Sequence, residues 1–177
     1  IFSVRPQSIL EITTRDGRVL DWRTPLPQQV FRAETAFQIS SILSDNQARA
    51  PIFGTRGPLS FADRPVAAKT GTTQSYRDAW TVGYTPSVAV GVWVGNDDNQ
   101  PLRPGSAGAM AAAPLWRAFM DEYLADTEVE VFEIPRFVEM VQVPTIVGVK
   151  SEYVAPWQID SNYRPIVRHR LINVKPL

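Results

Sequence analysis

Between Val66 and Gly95 three apolar runs follow one another with only two short polar interruptions, and few chain courses suit that layout. The runs cover Val66 to Gln74, Ala79 to Tyr84 and Val88 to Gly95, and the turns are Ser75 to Asp78 and Thr85-Pro86-Ser87. Strand–turn–strand punctuation of this kind predicts an antiparallel meander. In the third run Val88, Val90, Val92 and Val94 fall on one face and Ala89, Gly91, Trp93 and Gly95 on the other, because strand side chains alternate. Both faces are apolar, so the strand is expected to be covered on both sides.

The rest of the chain supplies flanking elements. Ile9 to Arg15 and Arg18 to Trp22, joined at Asp16-Gly17, read as a surface hairpin, since Asp-Gly tolerates the positive φ angles of a two-residue turn. Pro25 and Pro27 break the second strand, and a helix from Ala33 to Leu43 follows, with Ala36, Ile39 and Leu43 on one face. Gly54, Gly57 and Pro58 mark a loop. Ala107 to Leu124 is rich in alanine and carries Leu115, Trp116, Phe119, Met120 and Tyr123 at helical spacing, which predicts a helix packed on the sheet. Pro114 either begins that helix or kinks it. Beyond residue 127 the composition changes. Glu128 to Val131 and Val138 to Val149 suggest short strands, interrupted by Pro135, Pro144, Pro156, Pro165 and Pro176. The expected fold class is α+β, an antiparallel sheet with flanking helices over residues 1–127 and a β-rich or loosely packed extension over 128–177.

Composition removes several functions. A hydrophobic content of 44% over 177 residues is ordinary for a globular chain. Lysine plus arginine equals aspartate plus glutamate at 18 each, so no net field favours nucleic acid. With no cysteine there is neither a disulfide nor a thiolate metal site. His169 has no second histidine with which to bind metal, and Asp97 and Asp98 read as turn formers. No cofactor is implied. No apolar stretch approaches the roughly 20 residues that span a bilayer. The first residues, Ile1-Phe2-Ser3-Val4-Arg5, lack an initiator methionine and a signal-peptide layout, and a truncated start is expected.

The first run ends on Lys69-Thr70-Gly71-Thr72, which joins a cation, hydroxyls and a glycine to strand-like neighbours and reads as a substrate-binding edge strand. It matches the Lys-Thr-Gly-[Ser/Thr] element of serine penicillin-recognising enzymes. Their nucleophile lies in a Ser-x-x-Lys element, and this chain has none: its lysines are Lys69, Lys150 and Lys175, preceded three residues earlier by Val66, Val147 and Ile172. Ser44-Asp45-Asn46 has the form of the companion Ser-x-Asn element but directly follows a helical pattern, and is expected to end that helix.

The flanking residues extend the match. Arg64 to Thr73, Arg77-Asp78-Ala79-Trp80-Thr81-Val82-Gly83-Tyr84-Thr85-Pro86 and Gly91 to Asp98 together resemble the end of the transpeptidase domain of class A penicillin-binding proteins, the bifunctional peptidoglycan synthases. Ala112 to Met120 resembles that family's closing helix. The resemblance covers about residues 8 to 125 and implies part of a penicillin-binding transpeptidase (serine β-lactamase-like) fold.

It also implies a DD-transpeptidase that forms an acyl-serine with a peptidoglycan stem peptide ending in D-Ala-D-Ala and passes the acyl group to an amine. β-Lactams would acylate the same serine. By this resemblance Lys69 brings positive charge to the nucleophile region, and the Thr70 and Thr72 hydroxyls bind the terminal carboxylate. Gly71 lets the substrate backbone approach. The Thr72 backbone N–H is one oxyanion donor, worth about 3 kcal/mol in such sites. Trp80, Trp93 and Trp116 are expected in the core. The parent protein would be anchored in the bacterial membrane outside this segment, facing the cell envelope, with a glycosyltransferase domain upstream. The alternatives are a β-lactamase or DD-carboxypeptidase relative, or a non-catalytic cell-wall-binding module. Without its own nucleophile the chain alone is expected to be inactive.

Overall fold

The computed structural model describes residues 2–3, 9, 11–20, 27–105, 108–145 and 148–159. In chain order the principal elements are β1 (Phe2–Ser3), β2 (Ile12–Thr13), β3 (Val19–Leu20), β4 (Gln28–Gln29), α1 (Ala33–Ser44), α2 (Asn46–Phe53), β5 (Ala67–Thr72), β6 (Asp78–Tyr84), β7 (Ala89–Gly95), α3 (Gly108–Leu124), β8 (Glu139–Thr145) and β9 (Gly148–Val154). Two compact units account for these elements, one formed by Phe37–Arg136 and the other by Ile1–Ala36 with Phe137–Leu177. The class is α+β with antiparallel pairing throughout the described sheets.

In Phe37–Arg136 the expected meander forms, in the order β5-β6-β7. Its register pairs Lys69 with Val82, Gly71 with Trp80 and Trp80 with Trp93. Helix α3 covers one face. Leu59, Phe61, Val66, Ala68, Ala113, Trp116, Met120 and Leu124 form the core there, with Val88, Val90 and Val92 packed against it. Trp116 is its centre: it is fully buried, donates its ring N–H to Val90 O at 3.1 Å and meets Phe61 edge-on at 6.0 Å. Gly83 makes room for it, because a Cβ there would lie 2.2 Å from the Trp116 ring. Gly108 likewise lets α3 start against the sheet, since its Cβ would lie 2.4 Å from Gly71 O.

The other face of the sheet differs from expectation. Trp80, Val82 and Trp93 are 44%, 47% and 46% exposed, so of the three tryptophans expected inside only Trp116 is buried. Among the described residues the sheet has three strands and one covering helix at this end, and the Ala89/Gly91/Trp93 side of β7 is left open.

Helix α1 runs one residue past its predicted end but buries Phe37 and Ser40, while Ile39 is exposed. Tyr84 of β6 explains the rotation, because its hydroxyl lies 3.0 Å from Ser40 Oγ and draws a small polar residue inward. A second helix, α2, occupies residues expected only to lead into a loop. Asp45 starts it by accepting the N–H groups of Gln47 and Ala48, both at 2.9 Å, and Gly54 ends it at φ +73°. Arg49 braces the junction through Leu59 O at 3.0 Å and Leu43 O. Helix α3 continues through Pro114, which faces solvent.

The other unit contains three small antiparallel pairings: β1 with β4, β2 with β3, and β8 with β9. The predicted hairpin is present but shorter, and its turn is not the two-residue type. Thr14 pairs with Arg18 through Thr14 N to Arg18 O at 2.9 Å, and only Gly17 takes a positive φ, +82°. A three-residue loop with glycine in the left-handed position fits this geometry. Asp21 and Trp22 lie outside the described residues, as does His169.

Glu128 to Val131 forms no strand, contrary to expectation. Among the described residues no strand pairs with it. Side chains fix this segment instead: Ser87 Oγ donates to Glu130 at 2.5 Å, and Tyr84 meets Phe132 edge-on at 5.7 Å. The apolar pattern from Val138 onward forms β8 and continues into β9, with Thr145 opposite Gly148.

Candidate functional site

Among the described residues β5 is an edge strand, and its two halves have different surroundings. Val66, Ala67 and Ala68 are buried at 3%, 0% and 5% exposure, whereas Lys69 and Thr72 are exposed. Alternation puts Ala68, Thr70 and Thr72 toward α3 and Ala67, Lys69 and Gly71 on the opposite face. The four residues singled out by sequence are therefore contiguous, but their side chains divide between two faces and share only the strand's free edge.

That edge carries the chemistry. Thr73 N donates to Asp78 O at 3.0 Å, across the ladder. Backbone groups alternate direction along an extended strand, so the Thr72 N–H points the other way, out of the sheet. A donor in that position is available to an incoming oxygen. Lys69 Nζ folds onto the neighbouring Thr70 O at 2.5 Å. The Thr72 hydroxyl accepts the N–H of Gly108, the first residue of α3, at 3.0 Å. Its own proton remains for a second partner, since a hydroxyl both accepts and donates.

Gly71 has no internal explanation. Its φ lies outside the left-handed range, and an added Cβ would make ordinary contact with Trp80 Cβ at 3.6 Å. Gly83 and Gly108, by contrast, are required by packing. The open approach at Gly71 suits a backbone laid along the edge.

Beyond Thr72 the chain turns tightly into β6. Ser75 and Tyr76 take positive φ values of 61° and 54°, uncommon for residues with side chains. The turn is held by Arg77 Nη1 to Asn99 O at 2.8 Å and Leu102 N to Tyr76 O at 2.8 Å. Thr72, Thr73, Gln74, Ser75, Arg77 and Asp78 line an open hollow of about 600 Å³ beside the strand end. The Asp78 carboxylate accepts from Thr73 Oγ1 at 2.7 Å and from Trp93 Nε1 at 2.9 Å. The Thr73 hydroxyl, then the Trp93 N–H, hold its pKa below the usual value. Sequence patterns do not single out this trio, because the contact spans three strands; a threonine five residues before an aspartate across a tight turn is the only local sign.

Ser44-Asp45-Asn46 is occupied by local structure. Ser44 Oγ donates to Ser41 O at 3.2 Å, Asp45 caps α2, and Asn46 Nδ2 donates to Phe61 O at 3.2 Å. Asp97 and Asp98 receive N–H groups of their own turn, from Asp98 and Gln100 respectively. Among the described residues no helix is long and apolar enough to cross a membrane.

Comparison with known proteins gives a consistent picture. The family model for the penicillin binding protein transpeptidase domain matches residues 4–121. Penicillin-binding protein 1A of Aquifex aeolicus is 35% identical over 133 residues, which are 74% of this chain and 18% of that protein. The Mycobacterium tuberculosis protein of the same name is 36% identical over 148 residues, 73% of this chain and 17% of that protein. A crystal structure of penicillin-binding protein 1A from Haemophilus influenzae aligns with a TM-score of 0.66 at 27% identity, covering 81% of this chain and 22% of that one. The chain thus spans less than a fifth of the length of these curated relatives.

Proposed function

Because the chain belongs to the penicillin-binding protein transpeptidase domain family, we propose that residues 1–127 act as the C-terminal portion of a serine DD-transpeptidase domain and that 128–177 form an extension to it. The donor is a peptidoglycan stem peptide ending in D-Ala-D-Ala, and β-lactams compete for the same place. The nucleophilic serine comes from outside this chain, within a longer protein of the penicillin-binding protein 1A kind. That protein is anchored in the bacterial membrane on the envelope side and carries a glycosyltransferase domain.

The free edge of β5 carries this reading. A stem peptide laid against it as an extended strand meets the outward Thr72 N–H, which polarises the carbonyl under attack. The Lys69 ammonium leaves Thr70 O to face the serine or the terminal carboxylate. The Thr70 and Thr72 hydroxyls bind that carboxylate, and Gly71 leaves the peptide room to lie close. The acyl group moves from the D-Ala leaving amine to the serine and then to the acceptor amine.

In the full-length protein, Lys69→Ala slows acylation by fluorescent penicillin roughly ten- to a hundredfold, the effect of losing one charge-assisted hydrogen bond from the transition state. Thr72→Val weakens recognition of the carboxylate while keeping the β-branched shape. The isolated chain shows no covalent band with the same reagent. Unchanged acylation of both folded variants refutes the role given to this strand.

A further inference from the structure

The Thr72 N–H is useful only if its position is fixed, and the residue that follows it is held unusually well. Thr73 and Asp78 face each other across the turn and share three hydrogen bonds: Thr73 N to Asp78 O at 3.0 Å, Asp78 N to Thr73 Oγ1 at 2.9 Å, and Thr73 Oγ1 to Asp78 Oδ2 at 2.7 Å. The second carboxylate oxygen, Oδ1, accepts the ring N–H of Trp93 on β7 at 2.9 Å. One side chain therefore ties the end of the edge strand to both other strands of the sheet.

Asp78 satisfies the two side-chain bonds as they stand. Its ionised carboxylate offers two acceptors and no donor, which matches one hydroxyl and one indole N–H. The intervening turn places Ser75 and Tyr76 in uncommon backbone conformations, and of its other bonds only Tyr76 N to Thr73 O, at 3.2 Å, reaches Thr73, through the carbonyl oxygen. Removing the carboxylate keeps the two bonds made by the Asp78 backbone but releases the Thr73 hydroxyl proton and the Trp93 ring N–H, and a small shift of Thr73 carries the preceding peptide group with it. A site of this kind tolerates only about 0.5 Å of displacement.

We propose that Asp78 is a positioning residue for acyl transfer, setting the orientation of the Thr72 N–H through Thr73 and anchoring it to β7 through Trp93. The inference rests on the reading of β5 as the substrate strand. Asp78 touches no reacting atom. Its effect falls on the acylation step, where negative charge develops on the carbonyl oxygen, and spares the initial encounter with the ligand.

The test measures penicillin acylation of the full-length protein by stopped flow, separating initial affinity from the acylation rate constant. Asp78→Ala is expected to lower the rate constant about tenfold with affinity within about twofold, the pattern of an interaction made in the transition state. Asp78→Asn is expected to recover most of the loss, because its oxygen can accept from Trp93 and its amide can donate to Thr73 Oγ1. Thr73→Val should match Asp78→Ala, and the double variant should be no slower than either, since both break one unit. Should Asp78→Ala fail to fold, Trp93→Phe removes only the indole donor and is expected to slow acylation about threefold.

Three results overturn the proposal. If Lys69→Ala slows acylation while Asp78→Ala does not, Asp78 has no positioning role and the substrate strand stands. If neither changes the rate, the strand reading fails and takes the proposal with it. If Asp78→Ala loses stability and affinity together, with no rescue by asparagine, the carboxylate serves the fold alone.

Discussion

The two halves of β5 differ in how far packing alone accounts for them. From Val66 to Ala68 each side chain is buried, and the neighbouring glycine at 83 exists because Trp116 occupies its space. From Lys69 to Thr72 packing explains almost nothing: a lysine lies in solvent, a glycine has room for a side chain, and a backbone donor points out of the sheet. A sequence held only by stability would place a β-branched residue where Gly71 stands, because glycine weakens a strand interior. The difference within seven residues, Val66 to Thr72, separates what the fold needs from what the candidate site needs.

The strongest challenge to this contrast is at the buried half. Trp116→Ala is expected to cost about 3–5 kcal/mol of stability, as for other large buried aromatics, and urea unfolding of the purified protein measures it. A loss below 1 kcal/mol would mean that the core under Ala68 is not the one described.

Gly83→Ala comes next. The added methyl meets the Trp116 ring and the Ala67 carbonyl oxygen, 2.8 Å away, and overpacking of this sort costs about 1–3 kcal/mol. Gly71→Ala, on the same sheet, should change stability by no more than about 0.5 kcal/mol, while acylation of the full-length protein by penicillin falls. Equal destabilisation by the two glycine substitutions would erase the distinction between the halves.

The smallest effect is in pH dependence. The Thr73 hydroxyl and the Trp93 N–H depress the Asp78 pKa in the folded state, with a lesser contribution from Arg77. A depressed carboxylate stabilises the fold above its unfolded value, near pH 4, and that contribution is lost as pH falls through the folded value. The difference in thermal midpoint between the parent chain and Asp78→Asn should therefore be present at pH 7 and shrink at about pH 3. A difference that grows on acidification would show that the carboxylate is not held by these donors.

Much of the fold is legible in the sequence. The meander followed from turn punctuation, α3 from its helical spacing, and the candidate strand from four adjacent residues. Errors arose where a partner distant in sequence decides the outcome. Periodicity placed Ile39 inward, yet Tyr84 draws Ser40 there. Glu128 to Val131 has strand composition but, among the described residues, no strand to pair with. Trp80 and Trp93 are apolar enough for a core, but only one helix covers the described sheet at that end. Ser44-Asp45-Asn46 reads as the end of α1, yet Asp45 also starts α2, which Gly54 ends. At the site, residue identities were readable, but the division of Lys69 and Thr72 between opposite faces and the bracing by Asp78 depend on register.

Lys69 has one more consequence. A free strand edge that can receive an extended peptide can also receive the edge of another molecule of the same protein, the first step of aggregation. The ammonium resting on Thr70 O occupies one acceptor of that edge and brings a charge to it. Charged edge residues discourage sheet-to-sheet association, so two copies approaching through β5 would bring two lysines together. A cation on this candidate strand thus works against self-association through the edge, and a preparation lacking it should become turbid at lower protein concentration than the parent.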